Sequence, residues 1–110
     1  MSRAVHVRVD PGICGFCCEI RATLQEKRVA RLRIINSNCE HVQKLNAEIG
    51  EVGMKDLFLP LRRNPVIIAA EKAGCHAACP VPTALIKAAE AALGLALPKP
   101  VVIDIYLEEA

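Results

Sequence analysis

In the run Ala30-Arg31-Leu32-Arg33-Ile34 an arginine stands at every second position between apolar residues. Only an extended strand gives that apolar set a common face, with one side on a core and the other in water. Val5, Val7 and Val9 alternate with His6 and Arg8 in the same way, and Asp10-Pro11-Gly12 ends that strand. The segment between the two fits both periods. Ile13, Phe16, Cys17, Ile20 and Leu24 have helical spacing, while Phe16, Cys18, Ile20, Ala22 and Leu24 have strand spacing. The downstream strand decides between them, because residues 25–28 supply a short polar hairpin loop and the region then reads as an antiparallel meander.

Beyond residue 36 the signals turn helical. Ser37-Asn38-Cys39-Glu40 has the S-x-x-E form of a capping box and opens a helix running to about Gly50, with Val42, Leu45 and Ile49 as its apolar stripe. Asn64-Pro65 caps a short apolar helix over 66–73, closed by Gly74. Cys79-Pro80-Val81-Pro82 opens the longest helix, rich in alanine and stopped by Gly94. Its buried face is expected at Val81, Leu85, Ala88, Ala89 and Ala92. After Pro98-Lys99-Pro100, the alternation of Val101, Ile103, Ile105 and Leu107 predicts a final strand. The order β-β-β-α-loop-α-α-β implies an α+β two-layer sandwich in one domain over residues 1–110, a small mixed or antiparallel sheet of about four strands with about three helices on one face.

Charge narrows the function classes. With 14 Lys+Arg against 12 Asp+Glu there is little net field to draw nucleic acid or a membrane surface, and three aromatics (Phe16, Phe58, Tyr106) make a poor base-stacking platform. No basic segment followed by an apolar run opens the chain, and the apolar stretch at 81–98 is broken by Lys87 and Glu90. The expectation is a soluble cytoplasmic protein with neither nucleic acid nor membrane as a partner. In a reducing compartment six cysteines read as thiols, metal ligands or redox groups rather than disulfides.

Those cysteines fall in three groups: Cys14-Gly15-Phe16-Cys17-Cys18, Cys39-Glu40-His41, and Cys75-His76-Ala77-Ala78-Cys79-Pro80. Each group lies in a loop or at a helix start, where unpaired amides and the helix dipole favour a thiolate, Cys39 and Cys79 most of all. A fold that gathers the three loops at one end of the sheet assembles Cys14, Cys39, Cys75 and Cys79 as ligands of zinc or of an iron–sulfur cluster. Such a site implies electron transfer or metallocluster handling, with a protein redox or sulfur-relay partner. Thiol chemistry is a second reading, with Cys79 as the nucleophile of a sulfur carrier or redox protein and Cys75 resolving it. The third is a structural or interaction module whose reduced cysteines are inert packing residues. His41 and His76 are offered as ligands, supporting donors or thiol-activating bases, and His6 as a solvent-face residue. Arg31, Arg33, Arg62 and Arg63 read as a solvated face or as the seat of an acidic partner. Met54, Leu57, Phe58, Leu59 and Leu61 form either a homodimer seam or part of the core.

Two resemblances bear on these readings. Cys79-Pro80-Val81-Pro82, followed by a helix and then a strand, resembles the C-P-x-P start of small sulfur-relay proteins related to the tRNA 2-thiouridine sulfur carriers, which implies a persulfide on Cys79. Over most of the chain, Ile13-Cys14-Gly15-Phe16, Ser37-x-Cys39 and the segment from Cys75 to Pro82 resemble an uncharacterised family of small cysteine-containing proteins, found mainly in anaerobic bacteria and archaea. That likeness implies that Cys14, Cys39, Cys75 and Cys79 match the family's cysteines, and that Cys17 and Cys18 are additions.

Overall fold

The computed structural model of the protein describes residues 4–109. Strict alternation produces the sheet: β1 (Ala4–Val9), β2 (Cys18–Gln25) and β3 (Val29–Asn36) form an antiparallel meander, extended by a short β4 (Glu51–Gly53) in the order β1-β2-β3-β4. Cys18, Ile20 and Ala22 of β2, Ala30, Leu32 and Ile34 of β3, and Val52 of β4 are all buried, whereas Arg8, Arg21, Arg31 and Arg33 stand on the opposite, exposed face. Every second residue therefore enters the core, as the period of two requires. The hairpin is tight, and Lys27 and Arg28 adopt positive φ (63° and 59°) to close it. Between Glu19 and Ile20 the register shifts by a bulge that takes Glu19 opposite Asn36 but Ile20 opposite Ile34, leaving Ile35 unpaired.

Three helices cover the buried face. α1 (Glu40–Glu48) packs on α2 (Pro65–Ala73), and α3 (Val81–Ala92) lies across β1, β2 and β3. The expected face of α3 is the observed one: Val81, Leu85, Ala88, Ala89 and Ala92 are buried, and their small size lets the helix lie close on the sheet. Asn64, itself buried, caps α2 by accepting a 2.9 Å hydrogen bond from the Val66 amide at Oδ1. At the other end of α2, Gly74 takes φ +77°, and the Cys75 amide bonds the Ala70 carbonyl at 3.0 Å.

The α+β architecture is as expected, but three local expectations fail. Residues 101–107 do not join the sheet; they carry no strand pairing and are exposed along their length, and the fourth strand is instead β4, too short to alternate visibly. Ser37 does not cap α1, because Cys39 occupies the position before the helix and Ser37 Oγ accepts from the Cys39 amide at 3.2 Å. The hydroxyl is thus consumed in a local turn before the helix begins. β2 starts at Cys18 rather than Phe16, since positive φ at Gly12 and Gly15 (90° and 71°) keeps the preceding loop turned. Of the apolar group after β4, Phe58 and Leu61 are exposed while Met54 and Leu57 are half-buried against the core.

Candidate functional site

Three connections converge at one end of the sheet: the loop 10–17 between β1 and β2, the start of α1, and the turn 74–80 between α2 and α3. They enclose a cavity of about 180 Å³ lined by Cys14, Cys39, Cys75 and Cys79 together with His41, His76, Pro11, Phe16, Val42 and Val81. The loop is folded locally, with the Gly12 amide on Asp10 Oδ1 at 3.1 Å and the Gly15 amide on the Gly12 carbonyl at 2.9 Å. This loop contributes Cys14 to the cavity lining. Cys39 arrives through the extended residue before α1, and Cys75 through the left-handed turn at Gly74. Cys79 is set by its amide bonding the His76 carbonyl at 3.1 Å, just before Pro80 and the first turn of α3.

The remaining two cysteines stand apart from this lining. Cys17 is exposed, and Cys18 is a buried core residue opposite Val9. All six are free thiols, and among the described residues no three His, Cys, Asp or Glu side chains stand close enough to share a metal ion. His6 lies on the open face, with Nε2 at 3.7 Å from Glu19.

Burial at the cavity opposes charge on the bare Cys75 and Cys79 thiols. Burial raises the Cys75 thiol above its ordinary range, and the neighbouring Cys79 and Cys39 add to the effect. Burial raises Cys79 as well; a hydrogen bond from the Val81 amide pulls the other way, and Cys39 and Cys14 push up again. The helix-start amide that the sequence offered as an activator of Cys79 is therefore present, but desolvation outweighs it. Cys18 is pushed to about 11 by burial first and then by Cys79, Cys17 and Cys39.

One feature the sequence did not reveal is the anchoring of His41. Its Nδ1–H donates to the Ala73 carbonyl at 3.1 Å, and the Cys75 thiol lies 3.9 Å from the His41 carbonyl. In the neutral ring this fixes the proton on Nδ1 and leaves Nε2 as a lone-pair donor, the tautomer of a metal ligand or a general base. A Cβ on residue 74 would meet His41 Nδ1 at 3.2 Å, so the glycine admits both the turn and the imidazole. Phe16 was also missed as a lining residue; its place between Gly15 and Cys17 in a cysteine loop was the available signal.

Among the described residues no helix is long and apolar enough to cross a membrane. No curated protein and no solved structure matches the chain. A family model does match, over residues 5–105, a span that takes in every cysteine of the cavity. The chain belongs to the family of unknown function DUF6951.

Proposed function

We propose that the protein is a small metal- or iron–sulfur-binding protein whose ligands are the thiolates of Cys14, Cys39, Cys75 and Cys79, acting in electron transfer or metallocluster handling. The observation that carries this reading is the shared cavity: four thiols from three separate chain segments line one space of about 180 Å³. Soft thiolates are the donor set of zinc and of iron–sulfur clusters. Mutual repulsion and desolvation keep Cys75 and Cys79 protonated when bare; a cation in their midst reverses that balance and releases their protons. Closing a coordination shell requires the side chains to draw inward, Cys14 from an exposed position among them. His41 stands in the same lining, with Nε2 the ring nitrogen not engaged by the Ala73 carbonyl.

The second reading, a sulfur carrier or redox protein using Cys79 with Cys75, is favoured by the Val81 amide on the Cys79 sulfur and by the C-P-x-P likeness. The raised Cys79 thiol weakens it, because the thiolate is the nucleophile.

Anaerobic purification followed by elemental analysis of iron and zinc tests the first reading. Serine at any of the four positions is expected to lower bound metal severalfold, whereas Cys17→Ser, on an exposed thiol outside the lining, is expected to leave it unchanged. A protein free of iron and zinc, or variants that all carry the same amount, would refute the assignment and turn attention to Cys79 alkylation against pH.

A further inference from the structure

The segment after α3 is built like a strand and is unpaired among the described residues. Val101, Ile103, Ile105 and Leu107 alternate with Val102, Asp104, Tyr106 and Glu108. Ile105 is 91% exposed and Leu107 96%. A soluble body that leaves so many β-branched and aromatic residues in water calls for a covering surface. Pro98-Lys99-Pro100 precedes the segment as a stiff, extended spacer that holds it away from its own body. The long dimension of the molecule, 52 Å against 28 and 27 Å, accords with a tail standing off the globule.

The sheet has one edge able to receive such a strand. On the β4 side the edge is closed: the Leu32 amide bonds the Gly50 carbonyl at 2.8 Å, the Ile34 amide bonds Asn46 Oδ1 at 2.8 Å, and the Gly53 amide is taken by Asp56 Oδ2 at 2.9 Å. On the other side β1 pairs with β2 alone, so half of its main-chain groups face outward, and its core-facing Val5 and Val7 are only half-buried. Its six residues are enough to pair with most of the seven in the tail segment. Charge matches too: the open face of β1 presents His6 and Arg8, and the corresponding face of the tail presents Asp104 and Glu108.

We propose that residues 101–107 add as a fifth strand to the β1 edge of a second copy of the chain, the exchange being reciprocal in a two-fold dimer. The spacer disfavours closure on the same chain, and reciprocity covers both tails and both open edges at once. This assembly is independent of whether the cavity holds a metal.

Light scattering coupled to size exclusion, in reductant so that the free thiols cannot bridge copies, is expected to give twice the chain's 11.9 kDa. Ile103→Pro/Ile105→Pro, placed where no core contact exists, should give a monomer that keeps the helical far-ultraviolet signal of α1–α3 and loses only strand signal. Hydrogen exchange should find amides of β1 and of 101–107 protected together in the parent and released together in the variant. A monomeric parent would overturn the proposal, including one whose tail is protected on its own edge. So would a dimer that survives the double substitution.

Discussion

Cys18 opens β2 with 3% of its surface exposed, and burial with neighbouring thiols raises it from the ordinary 9.0 to about 11. A thiol raised in the folded state favours folding while it is neutral in both states. That contribution is complete below the unfolded value and is lost as pH climbs toward the folded one, because only the unfolded chain then releases the proton. For the metal-free, reduced protein the loss amounts to about 3 kcal/mol on an order-of-magnitude scale. Urea denaturation at about pH 8 and about pH 10.5 should therefore find the second clearly weaker, and Cys18→Ala should reduce the difference, leaving the part due to the raised Cys75 and Cys79 thiols. A parent whose midpoint does not fall over that interval would contradict the burial assigned to this thiol. The inward placement of Cys18 was legible, because it shares the period of two with Ile20 and Ala22 once the segment is read as a strand; the extent of its desolvation was not. The grouping of Cys14, Cys39, Cys75 and Cys79 in loops and at helix starts was legible. The desolvation that raises Cys75 and Cys79 was not, because burial is a property of what folds over a residue.

Two cap motifs of similar appearance behave differently at the level of the element. Asn64 accepts from the Val66 amide, is buried, and donates through Nδ2 to the Asp56 carbonyl at 3.4 Å, so it also ties α2 to the preceding 3-10 turn at Met54–Phe58. The Ser37 hydroxyl serves only the Cys39 amide at 3.2 Å, outside the helix. Asn64→Ala is expected to cost about 1–2 kcal/mol and Ser37→Ala less than about 0.5 kcal/mol, measured by chemical denaturation; equal losses would mean that the S-x-x-E box operates after all. Strong periods made β1, β3 and α3 readable, and the hairpin after Gln25 resolved β2. β4 escaped because three residues, Glu51-Val52-Gly53, carry no period. The reverse error at 101–107 has a single cause: alternation reports what a strand would bury, and says nothing about whether an edge in the same chain is free to take it.

Taken whole, the molecule brings residue 14 beside residue 79 and residue 39 beside residue 75 around one cavity, so the wall exists only when the entire fold is closed. A metal held there would bind the native state and not the unfolded chain, and would stabilise all elements together. On the reading proposed above, thermal unfolding should shift upward in the loaded protein by the equivalent of about 2.7 kcal/mol at about 100-fold excess over Kd, and a chelator should return it to the bare value. A midpoint that ignores both metal and chelator would count against a site in this cavity. The placement of α3 has a different consequence. The β2–β3 hairpin is complete at residue 36, yet the helix that shields its apolar face, with Leu85, Ala88 and Ala89, begins only at residue 81. On the ribosome the meander therefore emerges with Ile20, Leu32 and Ile34 uncovered until much of the chain has followed, and in this interval its apolar face is open to aggregation.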